Sequence, residues 1–281
     1  MTIRIVTDST CDLPEDVIAR HGITVIPLYI NVGNESYLDG IELSRAEFYR
    51  RLPTYPTPPT TSAPAPGIFA RTYERLAAEG TSEILSVHIS ASLSNVYNVA
   101  RLVAQDTRSV PVTVIDAGQI SLGTGLLVLA AAEAAAAGCS MKEIVAFLEE
   151  KTRRTYTFAA LDTLEFLRRS GRLTRFQSSL GALLQVKPLL TMNNGVAGME
   201  RIRTRSRARQ RLIELVQELG SLEHLSLVHT NAPEGIEELR QMAQGLFVGD
   251  RLPFCVEVTP VIGAHIGPGA VGFVAVQAAK S

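Results

Sequence analysis

The sequence predicts an α/β protein, with a mostly parallel sheet in its first half and a mixed or antiparallel sheet in its second. Three observations carry this. Short apolar runs bounded by turn residues alternate with segments of helical period through residue 154, the pattern of parallel strands with helices on their faces. Beyond that point residues 187–192 and 196–203 flank Asn193-Asn194-Gly195, a hairpin signal that only antiparallel strands use. The 281 residues are 46% hydrophobic and 20% charged, enough apolar material for one large or two ordinary domains with cores of their own.

Taken in order, residues 3–6 form a first strand, and the polar turn from Thr7 to Pro14 opens a helix. Pro14 suits its first turn and Gly22 follows its end. Residues 23–32 are a second β-rich run whose internal Pro27 predicts an edge or a bulge. Ser44-Arg45-Ala46-Glu47 is a capping-box pattern for a short helix toward Leu52. The proline-rich residues 53–67 read as an extended, polyproline-like loop. The helix after it, with Phe69, Tyr73 and Leu76 on one face, feeds straight into the apolar run 84–87. That stretch is therefore a loop inside an α/β unit, placing Thr60-Thr61-Ser62 before a helix. Residues 112–116 give the next strand, and Ser140-Met141-Lys142-Glu143 caps a helix running to about Arg154.

In the second half, residues 156–161 are strand-like, and a short helix over 164–169 leads into Ser170-Gly171-Arg172-Leu173. Six arginines occupy the odd positions from 201 to 211. With Ser206 as N-cap and Leu212, Leu215, Val216 and Leu219 behind it, the run becomes helical. The charges then fan out over a solvated, partly ion-paired surface. Residues 225–229, 233–245 and 254–258 give strand, helix and strand, and a glycine-rich loop carrying His265 precedes the closing strand.

Bulk properties exclude several classes. A net charge of -1 gives no general pull toward nucleic acid or anionic membranes. Cys11, Cys139 and Cys255 are scattered and odd in number, as expected of reduced cytoplasmic thiols. The N-terminus has neither the basic nor the long apolar region of a signal peptide. Residues 122–139 are apolar, but Glu133 and Gly138 interrupt them, so a buried alanine-rich helix is expected rather than a membrane span. Gly267, Gly269 and Gly272 match the dinucleotide-binding glycine pattern, yet only nine residues follow, too few for its helix, second strand and acidic residue. There is no phosphate-loop motif and no nucleophile elbow. The five histidines have no metal-ligand spacing among themselves.

What remains is a set of hydroxyls. The apolar run 84–87 ends in His88-Ile89-Ser90-Ala91-Ser92-Leu93-Ser94-Asn95-Val96-Tyr97-Asn98, and Val96, Val99, Ala100 and Val103 then recur at helical spacing. The hydroxyl-rich turn thus lies at a helix N-terminus, which suits an anion. Its serines either cap that helix or donate hydroxyls to a ligand. Together with Thr60-Thr61-Ser62 and the glycine-flanked His265 they suit a single carboxylate, where a triphosphate needs a metal or several cations. The apolar excess leaves room for a greasy tail. Two other readings stand beside this one: a hydrolase of acyl esters pairing Ser92 or Ser94 with His265, and a basic regulatory protein that binds nucleic acid through the arginine run.

The motifs Thr7-Asp8-Ser9, Thr60-Thr61-Ser62-Ala63-Pro64, Ser90 through Asn98, Leu167-Arg168-Arg169-Ser170-Gly171-Arg172-Leu173, Lys187-Pro188-Leu189-Leu190 and His265-Ile266-Gly267-Pro268-Gly269-Ala270-Val271-Gly272 keep an order that resembles the DegV family. These are the fatty-acid-binding subunits of bacterial fatty acid kinase. The resemblance implies two α/β domains, here 1–154 and 155–281, with a long-chain fatty acid such as palmitate buried between them. It implies a carboxylate held by Thr61, Ser62 and Ser94 with His265 close by, and no further cofactor. It also implies a separate ATP-binding kinase subunit that phosphorylates the bound acid, in the service of phospholipid metabolism, with Arg172 in the loop that engages that partner. Two departures matter. Ala91 replaces a serine of the family pattern, so either Ser92 substitutes or the head group is held differently. Ala63 stands where the family has glutamine.

Overall fold

The computed structural model describes residues 2–176, 186–248 and 253–279. In chain order the first half runs β1 (Ile3–Asp8), α1 (Glu15–Arg20), β2 (Thr24–Ile26), β3 (Tyr29–Val32), β4 (Glu35–Leu38), α2 (Arg45–Arg51), β5 (Thr60–Ser62), α3 (Pro66–Ala78), β6 (Glu83–His88), α4 (Val96–Asp106), β7 (Val112–Asp116), α5 (Leu122–Ala136) and α6 (Met141–Arg153). The second runs β8 (Thr155–Ala160), α7 (Glu165–Arg169), β9 (Lys187–Asn193), β10 (Val196–Ile202), α8 (Arg205–Glu218), β11 (Leu222–His229), α9 (Pro233–Met242), β12 (Cys255–Glu257), α10 (Pro260–Ile266) and β13 (Val271–Gln277).

The first half holds a four-stranded parallel sheet in the order β2-β1-β6-β7. A strand covered on both faces must be apolar on both, and Ile84, Leu85 and Val87 of β6 are all fully buried. On one face Phe69, Tyr73 and Leu76 of α3 pack with Val96, Ala100 and Val103 of α4. On the other lie Leu122, Leu127 and Ala131 of α5 and Ile144 of α6. The chain leaves β1 toward β2 on one side and returns as β6 on the other. The crevice outside the C-terminal ends of β1 and β6 is therefore a topological switch point, where open α/β sheets place their ligands.

The second half holds a six-stranded sheet in the order β10-β9-β8-β13-β11-β12, antiparallel except for the β11–β12 pair. This is the mixed sheet that the sequence predicts. Its hairpin turns as expected: Asn193 pairs with Val196, and Asn194 and Gly195 between them both have positive φ, 45° and 79°. One face of the sheet is covered by Leu212 and Val216 of α8 with Ile236 and Leu239 of α9. The other face turns Val228, Val256, Val274 and Val276 onto the same core as Leu126, Leu127 and Ala130 of α5. Helix α5 is apolar all round because a sheet lies on either side of it. Among the described residues, no helix is long and apolar enough to cross a membrane.

Three local expectations are corrected. The run 23–32 is two strands in different sheets: β2 edges the parallel sheet, and β3 is central in a three-stranded antiparallel sheet, β4-β3-β5. Pro27, without an N–H to donate to a ladder, marks the break. The proline-rich segment is not loop throughout, since Thr60–Ser62 pairs with β3 and sets Thr61 opposite Ile30. The arginine-bearing helix starts at Arg205 and is capped by Thr204 rather than Ser206, because the Thr204 hydroxyl accepts the Arg207 N–H at 3.2 Å. Along that helix Arg207 pairs with Glu214, Arg209 with Glu238, and Arg211 with Glu200 and Glu218. An acid-matched surface of this kind is poorly suited to phosphate backbones.

Candidate functional site

The switch-point crevice is built first from β1 and β6. At the end of β1, Asp8 is fully buried. Its Oδ1 accepts the backbone N–H of Thr10 at 3.1 Å and also the Thr10 hydroxyl. Its Oδ2 accepts His88 Nδ1–H at 2.9 Å and the Ile89 N–H at 3.2 Å. Burial alone would raise the Asp8 carboxyl; the hydrogen bond and charge of His88, then Thr10 and Ile89, hold it below its ordinary range. His88 Nε2 shares a 2.7 Å hydrogen bond with Ser86 Oγ, which meets the Tyr73 hydroxyl at 2.9 Å. Asp8, His88 and Ser86 have the order of a hydrolytic triad, but all three are at 0% exposure, so no substrate reaches them. They brace the loops that carry Thr10 and Ile89.

After β6 the turn is fixed by its own backbone: the N–H groups of Leu93 and Ser94 donate to the Ser90 carbonyl at 2.9 and 3.0 Å. The N-cap of α4 is Asn95, without a side-chain capping bond. The serines therefore do not cap the helix. Ser90 and Ser92 share a hydrogen bond at 3.0 Å, whereas the Ser94 hydroxyl has no protein partner among the described residues. From β5, the Thr61 hydroxyl lies 2.8 Å from His265 Nε2. His265 is not in the glycine-rich loop expected of it but on the last turn of α10; the loop begins at Gly267, where φ turns positive at 75°.

These elements close around a cavity of about 200 Å³. Its polar lining is Thr10, Thr61, Ser62, Ser94, Asn95, His265, Arg172 and Arg175. The remainder is apolar, with Leu28, Ile89, Leu93, Leu167, Val261 and Ile262 among the walls. Ile120, Phe176, Ile262 and Ile266 are shared with a second, apolar cavity of about 60 Å³ that reaches Leu190, Met192 and Val228 in the mixed sheet. A larger hollow of about 600 Å³, with Lys151, Glu223 and His224 in its wall, lies elsewhere and has none of these hydroxyls.

Of the residues singled out by sequence, the structure brings Thr61, Ser62, Ser94, His265 and Arg172 into one wall. Ser92 is the exception: it is exposed, turned toward Ser90, and not part of the cavity. Arg172 is half-buried, with its Nη1 donating to the Ser170 carbonyl at 2.7 Å. Arg175, which sequence reasoning missed, donates to the Ser92 carbonyl at 2.8 Å. The dense arginines from 168 to 175 were its only signal. Among the described residues neither Arg172 nor Arg175 faces a carboxylate. Burial, then the charge of Arg175, lowers the Arg172 pKa. Burial, then Arg172 and Arg175, pulls His265 down to about 4, so its imidazole is neutral at neutral pH.

Among the described residues, His265 Nδ1 is buried without a partner. An unpaired N–H costs more to bury than an unpaired lone pair, so the proton belongs on Nε2, donating to Thr61 Oγ1. The Thr61 hydroxyl hydrogen is then free to point into the cavity. The site can offer hydroxyl protons and two guanidinium charges to an anion while its apolar walls take a hydrocarbon. His265 meets Thr61 and neither Ser92 nor Ser94, so the serine–His265 pair of the hydrolase reading is not formed at this cavity. Among those residues, too, no group of three or more His, Cys, Asp or Glu is placed to hold a metal.

Comparison with known proteins identifies the family. The chain matches the family described as "Uncharacterised protein, DegV family" over residues 2–278. A DegV domain-containing protein of Streptomyces coelicolor is 38% identical over 275 residues, covering 97% of each chain. Among solved structures, a DegV family protein from Thermus thermophilus, described by its fatty acid binding, aligns with a TM-score of 0.89 at 36% identity, over 99% of this chain and 100% of that one. DegV from Bacillus subtilis, described as a fatty acid binding protein, gives 0.89 at 30% identity over 99% and 100%. With sequence and fold both matching along nearly the whole length, the chain belongs to the DegV family.

Proposed function

We propose that this chain binds one long-chain fatty acid between two units, residues 1–154 and 155–281, and presents its carboxylate to an ATP-binding kinase subunit for conversion to an acyl phosphate. On this reading it is a non-catalytic, cytoplasmic lipid carrier supplying phospholipid metabolism, with no cofactor of its own. The observation that carries the binding half is the chemistry of the cavity: two guanidinium groups without carboxylate partners among the described residues, a set of hydroxyls, and apolar walls continuing into a second apolar cavity. Relatives described as fatty-acid-binding proteins support it. The kinase half is supported by the family resemblance and by Ser62, an exposed hydroxyl at the polar end that leaves the head group within a partner's reach.

In this arrangement Thr61, Ser62 and Ser94 donate to the carboxylate, Arg172 and Arg175 balance its charge, and the acyl chain follows Ile120, Ile262 and Ile266 toward Met192. The test is displacement of a fluorescent fatty acid by palmitate and by methyl palmitate. Palmitate displaces it and the ester, which has the same tail and no anion, competes far less well. Equal competition by the two would remove the carboxylate from the site. Acyl phosphate formed only when chain, kinase subunit, ATP and palmitate are combined would establish the second step; acyl phosphate formed without the chain would end it.

A further inference from the structure

Where the two halves meet is a cluster of charges, Asp12, Asp39 and Arg45, none of which lines either cavity. Asp12 and Asp39 are 1% and 4% exposed and share one guanidinium, that of Arg45. Arg45 Nη2 lies 3.1 Å from Asp12 Oδ1, and its Nη1 donates to the Glu257 carbonyl. The Ser121 hydroxyl donates to Asp12 Oδ2 at 2.6 Å. The Thr259 backbone N–H donates to Asp12 Oδ1 at 2.9 Å, and the Thr259 hydroxyl donates to Asp39 Oδ2. Tyr49 closes the group, its hydroxyl donating to the Val258 carbonyl at 2.9 Å.

Thr259 is the N-cap residue of α10, yet its side chain makes no capping bond to that helix. Both of its donors go instead to carboxylates of the first half. Four of the seven residues of α10 (Val261, Ile262, His265 and Ile266) line the cavity. At about 1.5 Å of rise per residue, His265 lies only about 9 Å along the axis from Thr259. The anchor therefore fixes the start of the helix whose end holds Thr61.

The backbone beside the anchor is strained at Ser121, whose φ 56° and ψ -143° fall near a region where glycine alone is at ease, while Asp12, at φ 53°, takes the left-handed conformation that aspartate tolerates. These two residues bond to each other. Such conformations persist where the surroundings over-determine them, and they gather at clamps and ligand sites. The charge balance is also costly for mere packing. Burial raises both carboxyls, Asp12 to about 6, against the opposing pull of Arg45 and of hydrogen bonds from Ser121 and Thr259. Asp8, Cys11, Tyr49 and Glu257 are the other titratable groups whose charges bear on the cluster.

We infer that Thr259, gripped by Asp39 and Asp12, is a positioning residue for the ligand site: it sets the placement of α10 and, through it, the His265–Thr61 hydrogen bond that aims the Thr61 hydroxyl at the ligand. This rests on the fatty-acid reading given above.

Thr259→Val keeps the shape and the backbone N–H and removes only the hydroxyl; Thr259→Ser keeps the hydroxyl. In the ligand-free protein Thr259→Val is expected to move the His265 Nε2 nitrogen resonance, and in binding assays to weaken a fluorescent fatty acid about tenfold, the scale of a hydrogen bond to a charged group. Thr259→Ser is expected to restore both. A Thr259→Val protein that melts earlier but keeps the resonance and the affinity would make the cluster purely structural and overturn the inference. So would a serine variant as impaired as the valine one, since the methyl group would then be what matters. If the valine variant does not fold, Asp39→Asn, a weaker acceptor for the same hydroxyl, is expected to shift the same resonance by less, and no shift overturns the inference. If the wild type binds no fatty acid the functional proposal falls, while the resonance, read without ligand, still decides whether Thr259 positions His265.

Discussion

Arg172 and Arg175 stand side by side in the cavity wall, and the repulsion between them is relieved by whatever anion enters. Arg172→Ala is therefore expected to weaken fatty acid binding about tenfold, as for a lost charge-assisted hydrogen bond. Measuring fatty acid affinity and acyl-phosphate formation on the same variant separates its two possible duties. Equal losses place Arg172 at the carboxylate, and a loss confined to phosphorylation places it at the partner. A second residue-scale prediction concerns Asp12, whose folded value of about 6 lies above its ordinary 3.8. A raised carboxyl contributes stability that is whole below about pH 3.8 and is lost as the pH rises through about 6. The full shift amounts to about 3 kcal/mol. Asp12→Asn has no such titration. The difference in unfolding free energy between variant and wild type, from urea titrations at pH 4 and pH 7.5, should thus move by about 2–3 kcal/mol in the variant's favour at the higher pH. A constant difference would show that Asp12 does not carry the proton.

Among the elements, β13 is the most constrained. It lies between β8 and β11, and a Cβ placed on Gly272 would come within 2.1 Å of the Phe158 carbonyl oxygen. Backbone cannot yield as a side-chain tip can, so Gly272→Ala is expected to destabilise by about 3 kcal/mol or more, read as a fall in the urea midpoint. An unchanged midpoint would mean that the β8–β13 pairing is looser than its register implies. Of the three glycines read from sequence as a false dinucleotide motif, Gly272 answers this strand packing, while Gly267 and Gly269 stand before the strand at positive φ, 75° and 86°. The Ser140–Glu143 capping box, the Ser44 N-cap, the Asn-Gly hairpin and the amphipathic faces of α3 and α4 were legible because each is set within a few residues by local backbone chemistry. The division of residues 23–32 between two sheets was not legible: Pro27 signals a break, but which sheet takes each piece depends on partners about 30 residues away in β5 and about 20 away in β1.

At the scale of the molecule, α5 is the shared layer. Its Leu126, Leu127 and Ala130 pack with Val228, Val274 and Val276 from the second half, and α10 returns Val261 and Ala264 to the core of the first. The two halves should therefore melt in one cooperative transition. Residues 1–154 expressed alone should bind a hydrophobic dye such as ANS, because one side of α5 loses its cover. A well-folded, dye-negative fragment would show that the halves are energetically independent.

The sequence by itself determined the alternation of strands and helices, the change to a mixed sheet, and the chemical inventory of hydroxyls, arginines and one glycine-flanked histidine. Periodicity, capping and turn preferences are local, and composition needs no coordinates. Which members of that inventory meet was decided by tertiary structure. Ser92 and Ser94 are two residues apart, yet only Ser94 lines the cavity, because the Ser92 hydroxyl is taken up by Ser90 within the turn. Thr61 and His265 are 204 positions apart and touch only because β5 is pinned to β3 while α10 is anchored at Thr259. Nothing in the sequence singles out Asp12, Asp39 and Arg45, which stand in a polar turn, just after β4 and at a helix start. Burial between the two halves is what turns them into one cluster, since a charge removed from water must find its partner within the fold.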